Sequence, residues 1–371
     1  MVLEKARIYG VDGVGQSSPS LTRTDAAEGM TFTKGASEIK SDFDKCFPWS
    51  DMHEVVDEAG NVFIYIPKFY SKITKNANGT YKHQISGFRY EGFSTLFVDG
   101  KGNEIDYVLV GKYEASGSST KAESKSGKTC LVNITLPQMR TACKAQGEGY
   151  QQYDFLIDAI IKELFLIEFA TTDCQSIMKG WSYGGNSAAL QTGHTDNVKT
   201  PSGSWNTNHE EGDTACNTDG KHACKYRGIE NPWGNVWKWC DGITFSGNKV
   251  YICLDPTKYK SEDTNPPYVY MGDRSMSSGY TKKVEHFDKF PLLGYTTELG
   301  GGESIHYCDY YWSGGTVLTV GGHWHYGSRC GLWYWNGNNS ASNANSTIGG
   351  RILIEKLCST HIPWLLPKNT P

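Results

Sequence analysis

The chain has 371 residues and a net charge of −4, from 36 Lys and Arg against 40 Asp and Glu. That length suffices for one large core or two ordinary domains. Its basic residues are scattered rather than gathered into a stripe, which argues against nucleic acid as a partner, and no polybasic membrane patch stands out.

The N-terminal MVLEKARIYGVDG carries charges where a secretory leader needs an apolar stretch, so export by that route is not expected. Eleven cysteines at irregular spacing make an odd count, which argues against a closed disulfide framework and fits mostly reduced thiols. Cys216 and Cys224, with His222 between them, read either as half a zinc site or as a loop with two small buried residues; no second pair at ligand spacing follows. The chain also holds 42 Gly, 22 Tyr and 11 Trp, the composition of a loop-rich fold whose aromatics fill a core between loops or serve as contact residues.

Residues 1–50, with Gly10, Gly13, Gly15 and the run SSPS, show no long periodic segment and read as an extended N-terminal arm for attachment. From Val62 to Phe69, Tyr81 to Phe88 and Tyr107 to Tyr113, β-branched and aromatic runs bounded by turn residues predict strands. The polar stretch Ser116 to Lys128 reads as a mobile loop. Thr135, with Gln138 three residues on and Pro137 between, predicts a helix from Leu136 to about Ala145. A second helix is predicted from Tyr153 to about Cys174. Its apolar run is interrupted by Asp158, Lys162, Glu163 and Glu168 and is too short to cross a bilayer. Beyond Cys174 regular structure is expected to thin out into loops held by aromatic side chains.

Two segments stand above this background: RGIENPWGNVWKWCDG (Arg227 to Gly242) and VLTVGGHWHYGSRCGLWYWNGNNSASNANSTIGGRIL (Val317 to Leu353). The first resembles the Gly-Asn-Val-Trp-Glu-Trp signature of the formylglycine-generating-enzyme type of C-type lectin fold, with Lys238 where that pattern has Glu. The second resembles the variable region of diversity-generating retroelement target proteins, which share that fold. In such systems an error-prone reverse transcriptase randomises template adenines. The resemblance implies variable, ligand-contacting residues at His323, His325, Tyr326, Ser328, Arg329 and Cys330, joined by Leu332, Tyr334, Tyr310 and Tyr311.

An AAC codon altered at its first two letters yields His, Tyr, Arg, Cys, Leu, Ser or Asp but never Trp. Trp312, Trp324, Trp333 and Trp335 are then implied as scaffold, with Trp233, Asn235 and Trp237 beneath. Period-two alternation along Leu318 to His325 gives the same division, placing Leu318, Val320 and Trp324 on one face and Thr319, Gly321, His323 and His325 on the other. The Asn and Ser run from Asn336 to Ser346 reads as an irregular loop that hydrogen-bonds its own backbone, or as plain low-complexity sequence.

Alternative chemistries find less support. His323 and His325 also read as a metal pair, but no carboxylate partner is evident. Formylglycine-generating oxidases carry two cysteines where this chain has Tyr326 and Gly331, so no catalytic residue, cofactor or metal is expected. A calcium-dependent sugar site needs a Glu-Pro-Asn or Gln-Pro-Asp triplet, and Glu230-Asn231-Pro232 is a scrambled order.

The stretches ARIYGVDGVGQSSPSLTRTDAAEGMTF, PWSDM, VFIYIPKFYSKI and DYVLVGKYEAS resemble modules of tailed-phage structural proteins. That resemblance implies a tail-tip receptor-binding protein in the virion, meeting a bacterial cell-surface protein or glycan and other tail components. A bacterial surface or secreted adhesin is the alternative. Assembly stays open between monomer and homotrimer. The expected architecture is α+β: an arm over 1–50, a C-type-lectin-like domain over 51–358 with two helices, short antiparallel strands and ordered loops, its variable region over about 308–351, and a tail over 359–371.

Overall fold

The first expected helix forms for the reason its sequence gives. Thr135 caps Leu136–Lys144: its hydroxyl accepts from the Gln138 N–H at 3.3 Å, and the Gln138 side chain accepts from the Thr135 N–H at 3.0 Å. The second helix, Phe155–Phe169, is shorter than its apolar pattern suggests. Asp154 accepts from the N–H groups of Leu156 and Ile157 and fixes the start; Ala170 turns left-handed at φ 49° and ends it. Cys174–Ile177 is a separate turn capped by Asp173. The charges that interrupt the apolar run have partners, and Asp158, Glu163 and Glu168 are buried with them. Lys162 reaches Asp158 at 2.5 Å, His83 reaches Glu163 at 2.6 Å, and Arg227 donates to Glu168 at 2.9 Å.

The computed structural model of the chain describes residues 2–16, 20–206, 215–300, 310–355 and the backbone of 366–367. Cys308 and most of the expected tail lie outside the described residues. Within them are five α-helical segments, three of only four residues, and six sheets. The α+β character is therefore plain at a coarse level.

The N-terminal segment is extended, as expected, but is no appendage. Ile8–Val14 pairs antiparallel with Thr22–Asp25 and with Tyr81–Ser86, which pairs in turn with Tyr70–Lys75. Tyr9, Val11, Val14, Ile39, Phe43 and Trp49 lie in one apolar cluster with the long helix. Tyr9 and Val11 share a face of their strand, a short alternation that the surrounding glycines conceal. The stretch expected as a mobile loop contains the hairpin Ser116–Ser118 with Lys121–Glu123, and buried Ser124 donates to the Val62 carbonyl at 2.8 Å.

Regular structure does not thin out after Cys174. A seven-stranded sheet takes the order Phe290–Gly300, Gly279–Phe287, Tyr310–Trp312, Gly331–Asn339, Val317–Gly321, Trp237–Cys240, Ile348–Gly349. It is mixed rather than wholly antiparallel, because Tyr310–Trp312 runs parallel to Gly331–Asn339, and Trp237–Cys240 parallel to Ile348–Gly349. Its outer hairpin went unread because polar residues separate the three buried anchors Thr281, Val284 and Phe287.

Thr135→Ala removes an oxygen that accepts a helix N–H and should cost about 1 kcal/mol. Urea denaturation of the two proteins checks this, with an unchanged midpoint counting against a stabilising cap.

Candidate functional site

Val317–Gly321 is buried along its whole length, and the chain leaves the sheet where Gly321 and Gly322 both adopt positive φ, 89° and 78°. Two left-handed residues in succession break the alternation expected to run on to His325. A Cβ on Gly322 would lie 2.6 Å from Cys330 Sγ and 2.8 Å from Cys330 Cα, so only glycine lets the two ends of the turn close. Residues 323–330 then fold as a tight turn. The Tyr326 N–H donates to the His323 carbonyl at 3.1 Å, Gly327–Arg329 forms one 3-10 turn, and the Cys330 N–H donates to Gly327 at 3.1 Å.

This turn sorts the implied contact residues differently from their order in sequence. His325 and Arg329 are exposed, and Tyr326 and Ser328 half-buried. His323 is only 2% exposed, its ring centre 4.5 Å from Trp237 and 4.1 Å from Tyr326. Cys330, Leu332, Tyr334 and Tyr311 are also buried, which corrects the expectation that they face a partner. Gly331–Asn339 lies inside the sheet with apolar clusters against it: Leu332, Trp333 and Trp335 enter the main core and Tyr334 a second cluster. Tyr311 donates its hydroxyl to the Ser275 carbonyl at 2.8 Å. Tyr310 belongs to a strand by its backbone, and its side chain lies outside the described residues.

Trp233, Asn235, Trp237, Trp324, Trp333 and Trp335 are all buried. Asn235 connects the turn to what lies beneath it. Its carbonyl accepts from the Trp324 N–H at 3.0 Å, and its side-chain oxygen accepts from the Leu190 N–H at 2.8 Å. From the side, Gln175 donates to the Gly327 carbonyl at 2.9 Å and Asn186 to the Trp324 carbonyl at 2.9 Å, while the Gly327 N–H donates to Ser182 at 2.7 Å. The Asn-rich run bonds itself, with Asn338 N–H on the Asn336 side chain at 2.9 Å and Asn343 on the Asn339 side chain at 3.2 Å.

The deeper layer escaped the sequence reading. Lys238 is buried and lies 3.2 Å from Glu114, which also accepts from Asn231, Asn235 and the Val236 N–H. Burial depresses the Lys238 pKa and the nearby Glu114 charge opposes that fall. Arg351, equally buried, donates to the carbonyls of Gly111, Lys112 and Asn231 at 2.7, 2.9 and 3.2 Å. The sequence signal for this pair was Lys238 itself, a charge inside a Trp-rich strand that needs an opposite charge somewhere.

The turn offers shape and hydrogen-bonding groups rather than reactive ones. Burial pushes the Cys330 thiol up, and its Sγ donates to the His323 carbonyl at 3.1 Å, so it is no thiolate at neutral pH. Burial, with His325 nearby, pushes His323 down to about 3, and its Nδ1 has no hydrogen-bond partner. Among the described residues no three His, Cys, Asp or Glu side chains converge as a metal site, and Cys216 and Cys224 are both buried.

No family model matches the chain, and no curated protein matches it. Solved structures that overlap it include the U1, M1 and I1 variants of Major Tropism Determinant, each 11% identical, over 94% of this chain and 72% of theirs, at TM-scores of 0.31, 0.32 and 0.31. A likeness of that size does not assign the fold to a family.

A buried neutral imidazole makes stability depend on pH. The unfolded His323 takes up a proton near pH ~6.5 and the folded one only near 3, so below about pH 6.5 the unfolded state binds more protons. This group's contribution is complete above that pH and falls by up to about 1.4 kcal/mol per unit as the solution is acidified. His323→Gln should flatten the stability profile between about pH 4 and 7, read by urea denaturation across that range; an equally steep profile would refute the assignment. Gly322→Ala should cost about 2 kcal/mol or more through strain at Cys330, measured in the same assay.

Proposed function

We propose that the chain is a ligand-binding protein of receptor-binding type. In this reading its contact surface is the 323–330 turn and the loops beside it, carried on a C-type-lectin-like scaffold and diversified by a retroelement at a phage tail tip. The supporting observation is the exposure of His325 and Arg329 on a turn fixed from below by Asn235 and from the side by Gln175 and Asn186. A contact surface gains when its side chains are presented on backbone that is already ordered, because less entropy is lost on binding. Arg329 lies 5.9 Å from the Tyr326 ring and Lys221 4.7 Å from the Tyr183 ring, cation–aromatic pairs of the type that anchors interfaces.

The target in this reading is a bacterial cell-surface protein or glycan, and no catalytic step is assigned. The sequence resemblance to variable regions carries the retroelement part. Its genomic correlate is a reverse-transcriptase gene beside this one, with a near-copy of the 3′ end differing at adenines.

Separation of display from scaffold gives the functional test. His325→Ala with Arg329→Ala should leave the melting temperature within about 1 °C, since neither side chain is buried. The same double variant should lose retention on cell-envelope fractions that hold the unaltered protein. Trp324→Ala should instead destabilise by about 3–5 kcal/mol. Full retention by the double variant would place the contact surface elsewhere.

A further inference from the structure

Away from the turn, the long helix, the strand Tyr81–Ser86 and the hairpin Gly279–Gly300 enclose a cavity of ≈ 40 Å³, with Trp333 and Trp335 in its wall. Three residues that line it carry a buried polar atom without a hydrogen-bond partner: His83 Nε2, Glu163 Oε1 and His286 Nε2. His83 is 2% exposed and Glu163 7% exposed, so bulk water does not satisfy them. Each orphan is destabilising unless something enters the cavity to meet it.

The bonds at the far ring nitrogens decide what that guest is. His286 Nδ1 lies 2.6 Å from the Pro291 carbonyl, which can only accept, so the ring proton sits on Nδ1. His83 Nδ1 lies 2.6 Å from Glu163 Oε2 and donates to it. In the neutral tautomers that these bonds select, each Nε2 carries a lone pair, and Glu163 Oε1 is a third acceptor. Three orphaned acceptors around one cavity suit a cation. The charges agree: Asp158 and Lys162 offset one another at 2.5 Å, which leaves the Glu163 carboxylate in excess.

We propose that this cavity is a binding site for a divalent ion of the zinc and cobalt class, held by His83 Nε2 and His286 Nε2. The two ring centres stand 4.9 Å apart. Two imidazoles sharing one tetrahedral ion, with metal–nitrogen bonds of about 2.0–2.1 Å, place their ring centres roughly 5 Å apart. Metal-bound histidines donate their other nitrogen to a carboxylate or a backbone carbonyl, which is what Glu163 and Pro291 accept here. Among the described residues no third His, Cys, Asp or Glu completes a ligand set, so water fills the remaining positions. The cavity has space for two or three waters at about 10–15 Å³ each. Imidazole ligands favour zinc, cobalt, nickel and copper over magnesium and calcium. His83 belongs to the core sheet and His286 to the outer hairpin, so the ion would fasten one to the other.

The test uses the full chain, stripped with a chelator and titrated with Co²⁺ and Zn²⁺. One equivalent should bind, with the visible absorption of tetrahedral cobalt, and magnesium or calcium should not displace it. His83→Ala and His286→Ala should each weaken binding at least about tenfold, and Glu163→Gln by about 10–100-fold. His325→Ala should leave it unchanged, which separates this cavity from the His323–His325 pair on the turn. Absence of uptake, equal affinity in His286→Ala, or loss in His325→Ala would each overturn the proposal. Should the cavity variants fail to fold, anomalous scattering at the zinc edge from crystals of the unaltered protein locates the ion, and a peak elsewhere refutes the site.

Discussion

A carboxylate sealed inside a protein must find a positive partner or lose its charge, and beneath the 323–330 turn Glu114 meets Lys238 at 3.2 Å. The remaining oxygen capacity is taken by Asn231, Asn235 and the Val236 N–H. These donors come from the segment that resembles the Gly-Asn-Val-Trp-Glu-Trp signature, in which Lys238 replaces the Glu. The opposite charge is supplied instead from Glu114, more than a hundred residues earlier in the chain. One interaction thus fixes the strand Trp237–Cys240 in depth and angle. Through Asn235 it also fixes the backbone on which Trp324 hangs.

That floor explains how a turn with so little regular structure can be ordered. Gly321 and Gly322 bend the chain out of the sheet, Asn235 and Asn186 hold it at Trp324, and Gln175 holds the carbonyls of Gly327 and Cys330. Each link is a hydrogen bond to backbone, so it is indifferent to the side chains the turn carries. A surface built this way keeps its shape when exposed residues are exchanged, which is what the diversified contact face proposed above requires.

Features written in local chemistry were legible from the sequence. The Thr135–Gln138 cap and the strands Val62–Pro67, Tyr81–Ser86 and Tyr107–Gly111 follow from neighbours a few residues apart. Features set by distant partners were not. Residues 1–50 read as an arm because they show no long periodic segment, yet Tyr9, Phe43 and Trp49 pack together and against the main core. The alternation read through His325 failed because successive positive φ angles at Gly321 and Gly322 leave the strand geometry that alternation presumes. Leu332 and Tyr334 resemble variable positions by codon. Whether a sheet is covered on one face or two depends on what folds over it, and their immediate sequence does not record this.

The burial of those residues also bears on what diversification can reach. A new side chain at Cys330, Leu332 or Tyr334 must fit a packed interior, where added volume costs about 1–3 kcal/mol and removed volume leaves a void. At His325 and Arg329 the side chain meets solvent, and exchange leaves the interior contacts intact. Tolerance to substitution on this scaffold is therefore graded by depth. Exchange at outer positions leaves the packing alone, and exchange at inner ones changes how the turn sits. The Trp237, His323 and Tyr326 rings lie between the two, in contact with one another and through Trp237 with Tyr334, so an exchange at His323 would move Tyr326 and with it the aromatic part of the exposed face. A buried position can in this way reshape the exposed face without itself meeting solvent.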